Sequence, residues 1–115
     1  MKVSELQGAA LDWAVAKCEG MLAEPWLWGD EQEVLMRYKF STDWKQGGPI
    51  IERVKIRLDC AWNPGPWEGS CKIDGHTAWT EGPTPLIAAM RCYVASKLGD
   101  EVEIPEELTV SWREP

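Results

Sequence analysis

The sequence has little of what metal and covalent catalytic sites are usually built from. It holds one histidine, His76, and its four cysteines, Cys18, Cys60, Cys71 and Cys92, form no Cys-x-x-Cys pair. A zinc site built from paired ligands is therefore not expected, and we predict four free thiols. No nucleophile with a partner base and no cofactor motif stand out either. The sequence thus predicts a protein that is not an enzyme and that has no cofactor or metal.

Positive charge and long apolar runs are scarce as well. Lys and Arg total 12 against 19 Asp and Glu, which gives a net charge of −7. Because duplex-binding proteins usually present a basic face to the phosphates, duplex nucleic acid is not an expected partner. No stretch approaches the roughly 18 apolar residues of a membrane span. The N-terminal residues 1–5 do not resemble a signal peptide, so we expect a cytoplasmic protein of a bacterial host with no membrane partner.

Tryptophan, by contrast, is abundant, with eight residues in a chain of 115. A chain of this length forms one domain with one core, and tryptophan is rarely buried completely. Some of the eight are therefore expected at the surface, where an apolar cluster indicates a ligand or partner site. We predict a homo-oligomer, most simply a twofold dimer.

Local signals predict three helices, over 8–19, 42–54 and 85–98. The last is the clearest, since Thr84 is a good N-cap and Pro85 suits the first helical position. Alternating polar and apolar residues predict strands over 55–61 and 67–73, with a third short strand at 76–80.

Two finer expectations concern register and one ambiguous segment. With a turn centred near Gly65, Cys60 and Cys71 are expected opposite each other, as packed thiols rather than a disulfide. The alternation over residues 34–40 favours a strand, with a short helix as the alternative. The predicted fold is α+β, with about three helices packed on a small antiparallel sheet in a helix–sheet–helix sandwich. One domain spans 1–115, with 100–115 a partly ordered acidic tail.

Several residues are candidates for a ligand site at the start of the second helix. Ser41, Thr42, Asp43 and Trp44 precede Gly47 and Gly48, and free N–H groups at a helix start favour an anion. The alternative is a helix cap and a glycine hinge with a core tryptophan. No Gly-Lys-Ser/Thr follows, so this is not a P-loop.

A second group of candidates accompanies the last helix. Thr84 follows Gly82 and Pro83 at its start, and is either a ligand contact or only a cap. Arg91 either reaches a phosphate or carboxylate, or pairs with Asp43 or Glu52 as a buried ion pair. Trp44, Trp62, Trp67 and Trp79 either stack a flat ring or fill the core.

Three segments carry a resemblance to a known family. They are LDWAVAK at 11–17, STDWKQGGPIIER at 41–53 and GPTPLIAAMRCYVASKLGD at 82–100. Together they resemble the NinX-like proteins of lambdoid phages and their prophages. The resemblance implies a phage origin and a helix–sheet–helix architecture. It supplies no catalytic residues, because no biochemical function is settled for the family.

The leading hypothesis is a non-enzymatic phage accessory protein that binds a small anionic, nucleotide-like ligand, for example to sequester a host defence signal. The alternative is a protein–protein interaction module that targets a host or phage protein. A concave pocket lined by tryptophan favours the first, and a flat patch favours the second. The candidate ligand-binding residues are Ser41, Thr42, Asp43, Trp44, Gly47, Gly48, Trp79, Thr84 and Arg91.

Overall fold

The computed structural model describes residues 1–60, 62, 65–106 and 108. Short 3-10 helices span Val3–Glu5 and Met21–Ala23. The α-helices are α1 (Gly8–Cys18), α2 (Pro25–Trp28), α3 (Glu31–Arg37), α4 (Trp44–Val54) and α5 (Pro85–Leu98), and the strands are β1 (Arg57–Cys60), β2 (Trp67–Ile73) and β3 (His76–Gly82). The prediction of an α+β fold with an antiparallel sheet is confirmed. The short helices α2 and α3 are additional to the three predicted helices.

The central element is α5, which begins where the sequence predicted. The Thr84 side chain accepts a hydrogen bond of 3.1 Å from the Ile87 N–H and caps the helix, and Pro85 is its first residue. The helix lies close against the sheet because two glycines face it. A Cβ on Gly82 would stand 2.7 Å from the Ala88 nitrogen, and one on Gly69 would stand 2.8 Å from the Ala88 oxygen. Residues 88–94, the middle of α5, are all buried.

The three strands form an antiparallel sheet in the order β1-β2-β3. The expected pairing of Cys60 with Cys71 is wrong. Cys60 lies opposite Trp67, so the pairing of the two strands is centred before Gly65 rather than near it. Cys71 lies opposite Ala78 on β3, and its Sγ is 3.1 Å from Sγ of Cys92 on α5. All four cysteines are free thiols.

The segment predicted as a strand over 34–40 is helical over its first part, as α3. Asp30 caps this helix by accepting a hydrogen bond of 2.9 Å from the Glu33 N–H, and Glu31 and Glu33 lie in the first turn. Acidic side chains in the first turn stabilise a helix through their interaction with the positive end of the helix dipole. The local cap outweighs the alternating pattern, which survives only where Tyr38 stacks on Phe40 at a ring-centroid distance of 5.6 Å.

The other helices pack on α5 or on one another, since α3 contacts α1 and α2 contacts α3. Both α1 and α4 pack on α5, while α5 packs on β2 and β3. Trp79 and Lys72 on the sheet are exposed. The architecture is thus a sheet, a central helix and an outer helical layer, rather than a sandwich with helices on both faces of the sheet.

The two ends of the described chain meet. The Met1 amino group and the Val102 N–H donate to the carbonyls of Val102 and Met1, each at 2.9 Å, and the Val3 N–H donates to Asp100. Residue 107 and residues 109–115 of the predicted acidic tail lie outside the described residues. No described helix is both long enough and apolar enough to cross a membrane.

Candidate functional site

The structure divides the candidate site residues between two pockets. Ser41, Thr42, Trp44 and Thr84 line a pocket of about 200 Å³ together with Leu86 and Ile87, which we call the Trp44 pocket. The starts of α4 and α5 therefore meet. Trp79 and Arg91 line a different and larger pocket.

The remaining candidates near α4 have other roles. Asp43 caps the helix by accepting a 3.0 Å hydrogen bond from the Lys45 N–H. Gly47 is buried, and a Cβ there would stand 2.5 Å from the Phe40 carbonyl oxygen and 2.6 Å from Leu86 Cδ1. Gly47 thus permits close packing of α4 on α5. A Cβ on Gly48 would meet nothing within 4 Å.

Ser41 is fixed from inside the protein. Its N–H donates to Oδ1 of Asp12 on α1 at 2.8 Å, and both residues are buried. Burial raises the pKa of the Asp12 carboxyl, and the hydrogen bond from the Ser41 N–H offsets only part of this effect. Of the described residues, no Lys or Arg lines the Trp44 pocket, whose known walls are apolar or neutral. It therefore has no charge with which to hold an anion.

The larger pocket, which we call the Arg91 pocket, encloses about 530 Å³. It lies between the edge strand β3, the middle of α5 and the joined ends of the described chain. Its walls combine one aromatic side chain with several charged and polar ones: Lys2, Val3, Ser4, Trp79, Thr80, Glu81, Gly82, Pro83, Arg91, Ala95, Asp100 and Glu101. The volume falls within the range of about 300–1,000 Å³ that is usual for small-molecule sites.

Arg91 is held in this pocket by main-chain oxygens. Its Nε donates to the Leu6 carbonyl at 2.7 Å, and its Nη1 donates to the Glu81 carbonyl at 2.8 Å. The suggested ion pair with Asp43 or Glu52 is wrong, and among the described residues no carboxylate is within ion-pair distance of Arg91. Burial lowers the pKa of the Arg91 guanidinium, which is 9% exposed. The cation is therefore buried without an ion-pair partner in the described part of the chain.

Trp79 supplies the aromatic surface of the same pocket. Its side chain is 56% exposed on β3. The next residue, Thr80, is buried and donates to the Ala88 carbonyl at 2.9 Å, which holds this part of β3 against α5. The residues that line the pocket thus include an exposed indole, which can stack a flat ring, and a buried guanidinium, which can bind an anionic group.

Sequence reasoning missed several residues of this pocket because they come from distant parts of the chain. Lys2 forms an antiparallel bridge with Glu101, and Asp100 lies beside it. No local sequence pattern predicts a pairing between residues that are about 100 positions apart. Over the part of the chain that the structure describes, no group of three or more His, Cys, Asp or Glu residues is arranged to hold a metal ion.

The chain matches the model of a known protein family. A family model described as "Bacteriophage P22, NinX" matches residues 2–97. The matched range includes Lys2, Trp79 and Arg91 but stops short of Asp100 and Glu101. No curated protein matches the chain.

Proposed function

Because the chain belongs to the bacteriophage P22 NinX family, we propose that it is a phage accessory protein that captures a small nucleotide-like ligand in the Arg91 pocket. One observation carries the proposal, namely a buried guanidinium without a carboxylate partner among the described residues, in a pocket that also exposes Trp79. An anionic group bound there would compensate the charge of Arg91. Since little water screens a buried charge, such a contact is stronger than one at the surface.

The charges around the pocket narrow the ligand class. Glu81, Asp100 and Glu101 line it together with two cations, Lys2 and Arg91. Carboxylates accept hydrogen bonds from the N–H groups of a base, but they repel a chain of phosphates. The ligand that matches best is therefore a nucleotide with a flat base and one negative charge on its phosphate, such as a cyclic mononucleotide, rather than a nucleoside triphosphate.

The proposed activity is capture without turnover. His76, the one histidine, lies exposed at the start of β3 and does not line the pocket. The acids and the arginine are suited to binding and orienting, and among the described residues Ser4, which also lines the pocket, has no hydrogen bond to a base. A protein of this kind acts by lowering the free concentration of its ligand, as in the sequestration of a host defence signal.

Calorimetry with a cyclic mononucleotide, a nucleoside monophosphate and a nucleoside triphosphate tests the proposal. We expect affinity to fall in that order. Trp79→Ala is expected to weaken binding at least tenfold, or about 1.4 kcal/mol, because the stacking surface is lost. Arg91→Lys keeps the charge but loses the planar fork, and is expected to weaken binding as well.

Two other tryptophans provide matched controls. Trp26 on α2 is exposed and lies outside the Arg91 pocket, so Trp26→Ala is expected to bind normally. Trp44→Ala distinguishes the two candidate pockets, since Trp44 lines the smaller pocket and not the Arg91 pocket. Loss of binding in Trp44→Ala alone would move the site to the Trp44 pocket, and no binding by the native protein would refute the proposal. Recovery of a hydrolysed nucleotide would overturn capture without turnover.

One observation favours the alternative, a protein–protein module. Trp26, Leu27 and Met36 on α2 and α3 are all largely exposed, with Trp26 at 80%. A second copy of the chain is the partner we propose, as a twofold dimer that covers these side chains. Light scattering is expected to give a dimer for the native protein and a monomer for Met36→Glu. A native protein that stays monomeric at high concentration would exclude the dimer.

A further inference from the structure

A third pocket gathers positive charge on an acidic protein. It lies between α4, α5 and the end of β2, encloses about 290 Å³ and is lined by Arg53, Val54, Lys72, Ile73, Tyr93 and Lys97. Three of these six residues are cationic, although the net charge of the chain is −7. We propose that this Tyr93 pocket binds a phosphate group.

One carboxylate already occupies part of this charge. Arg53 donates from Nη1 and Nη2 to the two carboxylate oxygens of Glu19, at 3.2 and 2.6 Å. The Tyr93 hydroxyl donates to the same carboxylate and accepts from Arg53 Nη2 at 3.3 Å. Burial and this hydrogen bond to Glu19 raise the pKa of the Tyr93 hydroxyl, so it stays protonated as a donor. Glu19 and Arg53 thus form a compensated pair that fixes one wall of the pocket.

The other two cations have no such partner. Among the described residues, neither Lys72 nor Lys97 has a carboxylate within ion-pair distance. The Lys97 ammonium lies 5.9 Å from the centroid of the Tyr93 ring, and its charge also acts on Glu19. Three cationic residues line the pocket and one of them is paired with Glu19, which leaves two positive charges without an ion-pair partner among the described residues, as many as a phosphate dianion would neutralise. Each ammonium offers three donors to the phosphate oxygens.

This site is separate from the Arg91 pocket. Arg91 and Ala95 line the Arg91 pocket, and Tyr93 and Lys97, each two positions further along α5, line the Tyr93 pocket. Two residues correspond to roughly 200° around an α-helix, which places the two pockets on opposite faces of α5. A small ligand in one pocket therefore does not fill the other, and the inference does not depend on the proposed function.

Titration with inorganic phosphate, followed by calorimetry or by ³¹P NMR, tests the site. Potassium chloride at the same ionic strength controls for general screening. We expect saturable binding by the native protein and at least tenfold weaker binding by the double variant Lys72→Gln/Lys97→Gln. The double variant Lys45→Gln/Arg57→Gln removes the same charge from exposed positions outside the pocket, and is expected to bind as the native protein does.

A third variant acts in the opposite direction. Glu19→Gln removes the competing carboxylate and frees Arg53, so phosphate binding is expected to tighten several-fold. Adenosine monophosphate separates two sources of the group: equal affinity indicates a phosphate carried by a larger molecule, and weaker affinity indicates the free ion. The proposal is overturned if phosphate binding does not saturate, or if both double variants weaken it equally. Normal phosphate binding by Trp79→Ala would show that phosphate binds independently of the Arg91 pocket.

Discussion

On one face of α5, the Arg91 guanidinium is buried and its two hydrogen bonds end on main-chain carbonyls. Facing the opposite side of the helix, the Arg53 side chain is 57% exposed and forks onto Glu19, which is 19% exposed. The Arg91 charge is enclosed and has no ion-pair partner among the residues that the structure describes, while the Arg53 charge is paired with Glu19 and more open to water. Because solvent screens an exposed pair, the two arginines contribute differently to stability and to ligand binding. A bound anion would therefore gain most binding energy from Arg91, although more cationic residues line the Tyr93 pocket.

The largest expected effect compares the two arginines directly. Arg91→Ala leaves the Leu6 and Glu81 carbonyls without their donors and is expected to cost about 3 kcal/mol of unfolding free energy. Arg53→Ala removes a solvent-exposed ion pair and is expected to cost less than about 1 kcal/mol. Urea unfolding of both variants measures the difference.

Arg91→Met separates packing from hydrogen bonding in this comparison. Methionine keeps an unbranched apolar stem but offers no donor. We expect Arg91→Met to recover part of the loss and to remain less stable than the native protein. Equal losses in Arg91→Ala and Arg53→Ala would contradict the distinction between the two faces of α5.

A smaller effect is expected from the two adjacent glycines that set how α4, which carries Arg53, lies against α5. In Gly47→Ala the new methyl group would overlap the Phe40 carbonyl and Leu86, at an expected cost of about 1–3 kcal/mol. Gly48 lies in the same helix with open space around it, so Gly48→Ala is expected to stabilise by about 0.5–1 kcal/mol. Melting temperatures that shift in the same direction would show that Gly47 does not set this spacing.

Local signals predicted α5 well and predicted the sites only in part. The signals for the start of α5, Thr84 and Pro85, are adjacent in the sequence, and the helix begins at Pro85 as they predict. The strand predicted over 34–40 failed because Asp30, just upstream, caps a helix that the alternating pattern conceals. The pairing of Cys60 depends on the register between β1 and β2. The residue pattern of a single strand does not determine that register.

The candidate sites show the same limit. Arg91 was identified from its place on an apolar helix, but its acceptors, on Leu6 and Glu81, come from other elements of the fold. Tyr93 and Lys97 stand four residues apart, a spacing that puts two side chains on one helical face. That spacing was a usable signal for the Tyr93 pocket. The approach of Glu19 and Arg53, which are 34 residues apart, was not.

The smallest expected effect is a pH dependence that differs between two carboxylates. Burial would raise the pKa of Glu19, but the hydrogen bonds from Arg53 and Tyr93 outweigh it and lower the pKa below the ordinary 4.5. The folded state therefore binds this proton more weakly than the unfolded state does. The resulting stability is present above pH 4.5 and is lost as the pH falls through the folded pKa. Glu19→Gln is expected to lack it, at a cost of about 1 kcal/mol near neutral pH.

Asp12 provides the control with the opposite sign. Burial raises its pKa above the ordinary 3.8, so the folded protein increasingly resists ionisation as the pH rises from that value. Asp12→Asn keeps an oxygen that accepts from the Ser41 N–H but removes the buried charge, so it should gain stability relative to the native protein with rising pH. Urea unfolding at a series of pH values between about 3 and 7 measures both differences. With rising pH, Glu19→Gln should fall further below the native protein while Asp12→Asn rises relative to it. Differences of the same sign in the two variants would mean that the exposed pair at Glu19 does not hold its charge in the way that its contacts with Arg53 and Tyr93 require.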